Sequence, residues 1–563
     1  MATNQTSNIT SAFIDLATYD ALEQFMYGGQ KAISYFVRFH TKATWFSHIP
    51  TKLSNTGTAA FGSTSWSSSV SRAGDYLLYS WLRLTLPAVA ISAEKANYSF
   101  ESNLIANSNT LFPTNNSAKE LDPWNRPDVT KGAYRIRWTR NFMHNLIKEA
   151  LLNFNDITAA RLDNYFLDFW AAYTTPAGKQ AGYDAMIGNI DALINPMQAP
   201  MPIIEQKLYG QTTTSLPPAP GMVLPSVTLN LPLPFFYARD TGVALPTAAL
   251  PYNDMKIQFN FRSLTDLLVV DDLTTGKSRP FTAGDMDPNY TNAQLQQVEV
   301  WCDYAIVSNY ERKQMGLKPR DILIEQVQTA SVNGFNSNSA SGISNFDIRF
   351  SHAIKALFFG LQNGTNSSEW SNYSAASPVA YWDYGKKQGG VDFTPAFAAD
   401  PLSSTAIKYE NSVRQDLSSD YYSQIMPYYH AVSIPTGNKI GYHMFSYALD
   451  LASVDPIGST NFSKLTNVSF QFQLSKQAVK STSGDTSNAL HIQNQIPLDF
   501  KQNVLSNALP TAGTTMVLGN GFGGILPSMA AGYGFPQVFN VIIIGLNHNV
   551  VRISGGALGF PVL

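Results

Sequence analysis

Two stretches of the chain alternate apolar and polar residues with a period of two. In ALPYNDMKIQFNFR (249–262), Met255, Ile257, Phe259 and Phe261 alternate with Lys256, Gln258, Asn260 and Arg262. In DPIGSTNFSKLTNVSFQFQLS (455–475), a turn at DPIGST leads to Val468, Phe470, Phe472 and Leu474, which alternate with Ser469, Gln471 and Gln473. Successive strand side chains point to opposite faces, so both runs predict half-buried β-strands. The same grammar used twice points to a duplicated unit.

Further strands are predicted at AISYFVRFHTKATWF, DYLLYSWLRLTLP, YRIRWTR and QVEVWCDYAIVSN, then at FDIRFSHAIKALFFG and QVFNVIIIGLNHNVVRISGG, all rich in aromatic and β-branched residues. The order of signals repeats between the halves. A Pro-aromatic segment read as strand (PFFYARDTG, then PYYHAVSIPTG) is followed by a turn-rich interval and an alternating strand. One long helix is predicted in DITAARLDNYFLDFWAAY, where Leu162, Tyr165, Phe166, Phe169, Trp170 and Tyr173 form an i, i+3, i+4, i+7 stripe suited to core packing. Near the N-terminus, TYDALEQFMYGG predicts a short amphipathic helix carrying Leu22, Phe25 and Met26 and stopped by Gly28 and Gly29.

These elements predict an all-β protein with a few short helices and long surface loops. Polar, Pro- and Asn-rich segments near 92–130, 202–226 and 478–535 read as the loops. The interval ERKQMGLKPRDILIEQVQ, charged and helix-compatible around Pro319, reads as a linker. The expected organisation is an N-terminal arm (1–30), a first β domain (31–312), a linker (313–333) and a second β domain (334–563).

Composition narrows the function. With 563 residues the chain is too long for one ordinary core. Its formal charge is −2 and only 14% of residues are charged, so no basic field draws it to nucleic acid. The single cysteine, Cys302, excludes an intramolecular disulfide and reads as an inert strand thiol. MATNQTSNIT lacks the basic-then-apolar pattern of a secretion signal, so the sequons at Asn8, Asn97 and Asn363 carry little weight. The most apolar run, FNVIIIGL, falls short of the ~20 residues of a spanning helix.

Catalytic signals are sparse. Gly519, Gly521 and Gly524 match G-x-G-x-x-G, but Pro527 interrupts the helix that should follow, and no Asp or Glu occurs after Asp499. No cofactor is therefore expected. The histidines show no metal-ligand spacing; His443 and His548 read as hydrogen-bonded sheet or interface residues. Asp271 with Asp272, and Asp285 with Asp287, read as solvated loop acids, with cation binding or acid–base work as the sharper reading. Arg135 and Arg137 on one strand face, with Arg140 nearby, form a guanidinium row that suits a partner's carboxylates or phosphates, against an ordinary solvated face. No catalytic, cofactor or metal residue is assigned, and the balance of architecture over chemistry points to a structural protein. A jelly-roll carbohydrate-binding protein or glycosidase is the alternative.

Several stretches carry a resemblance. FIDLATYDALEQFMYGG, AISYFVRFHTKATWFSHIP, RNFMHNLIKEALLNFND, LPFFYARDTGVALPTAALPYN, PRDILIEQVQTA, GYHMFSYALDLASVDPIGSTNFSKLTNVS and NHNVVRISGGALGFPVL together resemble the major capsid proteins of iridoviruses. The resemblance implies a double jelly roll of two eight-stranded sandwiches, and a homotrimeric, pseudo-hexagonal capsomer in the icosahedral shell of a large double-stranded DNA virus. It further implies contacts with neighbouring capsomers and minor capsid proteins, proximity to an internal viral membrane, assembly in the host cytoplasm, and no direct contact with nucleic acid. Some of the polar segments would then project as the outer tower of the trimer, and the N-terminal arm would lie on the inner side or swap to a neighbour.

Overall fold

The computed structural model describes residues 9–38, 40–92, 95, 134–155, 157–198, 221–273, 276–290, 293–330, 333–335, 343–383, 388–394, 399–435, 437, 439–475, 478 and 538–560. The chain divides into two units, Met1–Phe46 and Ser47–Leu563. Most of the three polar segments, together with Gly519, Gly521 and Gly524, lies outside the described residues.

The first unit holds two helices, Ile9–Ala17 and Ala21–Met26. The second is the predicted one. Asp20 accepts a hydrogen bond from the Ala21 amide at its start, and Gly28 and Gly29, at φ of +104° and +96°, end it with a backbone that side chains disfavour. The strand expected in AISYFVRFHTKATWF is not formed among the described residues before Phe46. A strand is completed by ladder partners, and the described residues of this unit offer only two short helices.

The second unit carries the β structure, and its described ladders are antiparallel. One four-stranded sheet runs Phe46–Lys52, Gln296–Val307, Tyr76–Thr85 and Thr228–Leu233. Its companion has five strands, Ser54–Asn55, Trp66–Ser69, Met255–Phe261, Ile147–Phe154 and Ile157–Leu162. The predicted alternation in Met255–Phe261 sets the register: Ile257 lies opposite Leu152 and Phe259 opposite Ala150, all buried.

A second pair of sheets repeats the plan. Arg320–Thr329, Phe539–Ser554, Ala353–Asn363 and His443–Ser446 form one; Ile343–Ile348, Val468–Leu474, Leu402–Tyr409 and Ser412–Ser418 form the other. Phe470 and Phe472 face inward against Phe359 of the opposite sheet, as their spacing predicts. Every described sheet draws its strands from one half of the chain only, up to residue 307 or from residue 320 on.

Three local expectations are corrected. The interval 313–333 contains the end of helix Asn309–Leu317 and then strand Arg320–Thr329, which pairs along its whole length with Phe539–Ser554. Pro319 stops the helix, and the buried Ile322 and Ile324 give the strand its inner face. Both Pro-aromatic segments are helical turns, Phe236–Ala238 and Met426–His430, because proline lacks the N–H a ladder needs. Finally, the long predicted helix starts only at Asn164. Ile157–Leu162 joins the sheet beside Ile147–Phe154, and the Asp163 carboxylate accepts from the Phe166 amide at 2.7 Å, capping a helix that runs to Thr174. Among the described residues no helix is long and apolar enough to cross a membrane.

Candidate functional site

The helix Asn164–Thr174 belongs to the first half, yet it buries its apolar stripe against the second. Phe169 and Tyr173 pack on Phe358, with ring centroids 6.2 and 5.7 Å apart, and Phe169 also meets Tyr373 and Tyr442 edge-on. This close approach requires Gly360: a Cβ there would lie 2.9 Å from the Gly441 carbonyl oxygen and 3.1 Å from the Phe169 ring.

Polar side chains buried along the same seam are matched across it. Asp168 projects from the helix and accepts four hydrogen bonds: from Asn141 (2.8 Å), His144 Nδ1 (2.7 Å), Ser371 (2.7 Å) and Tyr373 (3.2 Å). The last two donors come from the second half. Thr329 donates to Asp163 at 2.6 Å, and Gln326 donates to the Ala159 carbonyl at 2.7 Å. Asn195 and the Val391 backbone exchange two hydrogen bonds, of 3.0 and 3.2 Å. Arg262 donates to the Asn145 carbonyl and to Asn164, and lies 3.9 Å over the ring of Trp370 from the other half.

The arginine row is not a solvated strand face. Arg137, with 0% of its side chain exposed, donates to Asp271 at 2.9 Å and to Glu369 of the second half. Burial opposes its charge, but the two carboxylates outweigh burial and hold Arg137 above its ordinary value. Arg135 and Arg140 are buried too, and the Arg137 and Arg140 guanidiniums lie over Phe393. Arg137 therefore meets its carboxylates inside its own chain. Asp271 is a buried strand residue and not a loop acid, and burial pushes its carboxyl upward. Asp285 is held by both terminal nitrogens of Arg279, at 2.7 and 2.8 Å, and Asp287 is buried.

A second charged cluster links Arg239 of the first half to Glu325 and Lys355 of the second. Lys355 Nζ donates to Glu325 at 2.5 Å and to the carbonyls of Leu451 and Ser453, while Arg239 Nε lies 3.3 Å from the other Glu325 oxygen. His548 faces Glu325 in the ladder with no hydrogen-bond partner on either ring nitrogen among the described residues, unlike the hydrogen-bonded histidine its strand setting predicts. Burial holds it below its ordinary value.

Ser419, His443 and Asp400 have the composition of a hydrolase triad but not its geometry. Ser419 Oγ and Asp400 both meet His443 Nε2 at 2.7 Å, whereas Nδ1 has no partner. A relay needs nucleophile and acid on opposite ring nitrogens. His144 does bridge Asp168 and Tyr183 through opposite nitrogens, each at 2.7 Å, but burial pushes the Tyr183 hydroxyl far up. Both arrangements are structural. Cys302 is also buried, and burial pushes its thiol to about 12, in keeping with an inert residue.

The major capsid protein of Costelytra zealandica iridescent virus is 45% identical over 566 residues, covering 99% of each chain. The chain belongs to the major capsid protein family of iridoviruses. The relatives from Invertebrate iridescent virus 6 and Frog virus 3 are 43% and 36% identical, again over 99% of both chains. Residues 34–307 match the family model described as major capsid protein N-terminus, and 311–505 match that of the large eukaryotic DNA virus major capsid protein. Among solved structures, the PBCV-1 virus capsid aligns with 94% of this chain and 100% of its own at TM-score 0.59 and 17% identity. The Faustovirus major capsid protein aligns with 93% of each at TM-score 0.59 and 11% identity. The fold is thus the double jelly roll of these capsid proteins. Family members are structural components of the virion capsid and not enzymes.

The seam itself was missed in the sequence, although it left a signal. Asp168 in NYFLDFW, Lys355 in AIKALFF and Glu325 in ILIEQV are single charges inside apolar runs. A charge in such a run is buried on an element's core face, where it needs a partner from another element.

Proposed function

We propose that the chain trimerises into pseudo-hexagonal capsomers, which tile the icosahedral outer shell of a large double-stranded DNA virus. One observation carries the reading: two sandwiches of like plan share no sheet, yet are fused by a buried seam of matched charges and rings. A rigid two-lobed subunit repeated about a threefold axis places six similar lobes in a ring, and a closed ring of that outline tiles a surface. The two lobes would meet near residue 312, with helix Asn309–Leu317 leading from the first into strand Arg320–Thr329 of the second. The N-terminal arm would face neighbouring subunits, minor capsid proteins or an internal membrane, and assembly would take place in the host cytoplasm without contact with nucleic acid.

Light scattering coupled to size-exclusion chromatography, with negative-stain imaging of the same fractions, tests the proposal. A mass of three chains and particles of hexagonal outline are expected. A stable monomer under assembly-promoting conditions would overturn it.

A further inference from the structure

A cleft of about 730 Å³ opens beside the seam, within the size range of small-molecule sites. Its lining includes Tyr79 and Trp81 of strand Tyr76–Thr85, Trp170 and Thr174 of helix Asn164–Thr174, and Arg239. The aromatic pair is braced from the side: Trp81 stacks on Trp301, its ladder partner in the next strand, with ring centroids 6.1 Å apart and planes 13° from parallel.

The charge around Arg239 is unbalanced. Arg239 and Lys355 are two cations sharing the single carboxylate of Glu325. Lys355 is fully satisfied, by Glu325 and two carbonyls. Arg239 is not. Its side chain is only 7% exposed and its guanidinium lies flat on Trp170, 3.5 Å from the ring centroid, while buried Nε makes no hydrogen bond to any described residue. Burial pulls Arg239 down to about 10, which leaves it charged at neutral pH, and Glu325 is the one acid that favours its charge. Burial holds His548 below its ordinary value, and an imidazole in either state supplies no anion. A buried guanidinium with an unsatisfied donor at the wall of an aromatic cleft is built to receive a planar anion.

We infer that the cleft binds a small organic carboxylate carrying an apolar or aromatic body: the carboxylate meets Arg239, and the body lies against Trp81 and Tyr79. This goes beyond capsomer assembly and does not depend on it.

The test titrates purified full-length protein with 4-phenylbutyrate and with its neutral counterpart 4-phenylbutanol, by calorimetry and by fluorescence of the cleft tryptophans. Saturable binding of the acid is expected with Kd of about 1 mM or tighter, as a ligand of this size allows. The alcohol should bind at least about tenfold more weakly, the worth of one charge-assisted contact. Arg239→Gln should lose the preference for the acid, and Trp81→Ala, a change away from the sandwich core, should weaken both ligands while leaving the unfolding transition in place. If Arg239→Gln fails to fold, the acid–alcohol comparison and Trp81→Ala decide. Absence of saturable binding to the wild type, equal affinity for acid and alcohol, or an unchanged acid preference in a folded Arg239→Gln would each overturn the inference.

Discussion

The rings of Phe359 and Phe470 lie 5.4 Å apart, centroid to centroid, in opposite sheets of the second sandwich. Phe359 also meets Tyr422, Phe472 and the His443 ring within 6 Å, so one side chain ties both sheets to the turn after Ser412–Ser418. Truncating it leaves a cavity the rigid sheets cannot close. Phe359→Ala should destabilise the protein by about 3 to 5 kcal/mol, read as a lower urea midpoint at unchanged m-value.

Arg137 bridges two carboxylates from different halves. Arg137→Met should cost about 3 to 5 kcal/mol, because Asp271 and Glu369 would remain buried without their cation. The triple variant Arg137→Met, Asp271→Asn, Glu369→Gln should recover part of that loss. A single variant within about 1 kcal/mol of wild type would show that the seam does not depend on this triad.

Asp285 sets a pH dependence. Burial alone would raise its carboxyl, but hydrogen bonds from Arg279 and Thr282 win and bring it to about 2, below its ordinary value of 3.8. A carboxyl depressed by folding adds stability above its unfolded value, and that stability disappears as pH falls through the folded value. The Asp285 contribution should therefore be complete above about pH 4 and vanish toward pH 2. Arg279→Met should flatten this part of the acid-denaturation curve by lowering the stability at neutral pH, while the slope from neutral to basic pH stays as it is.

Glycines separate into two kinds. Gly441 has φ of +83°, and a Cβ there would lie 2.0 Å from the Tyr373 carbonyl oxygen, inside the seam. Gly441→Ala should cost more than about 2 kcal/mol and lower the yield of folded protein. Gly178 lies in the helix Ala177–Ile187 with open space around it. Gly178→Ala should instead stabilise by about 0.5 to 1 kcal/mol, and thermal unfolding distinguishes the two signs.

Strands were legible where one face is buried and the other polar. Met255–Phe261 and Val468–Leu474 alternate cleanly, and each is a strand with the expected residues inside. The helix before Thr174 was misread at its start, because the apolar stripe continues through Leu162 although Ile157–Leu162 lies in a sheet. A 3.6-residue stripe and a two-residue alternation coincide over so short a run. The seam was illegible for another reason. Asp271 and Arg137 are 134 positions apart, and Glu369 is 232 from Arg137, so only the fold reveals that they meet. Acid pairs and an arginine row looked like surface chemistry because sequence does not show which face turns inward.

The seam also has a mechanical consequence. Each lobe is gripped by rings, charges and hydrogen bonds distributed from Asp163 to Tyr442, and bending between lobes would break several buried contacts at once. A shell made of such subunits gains its curvature at the joints between them, so the angle between neighbours, and not the form of the brick, becomes the adjustable quantity.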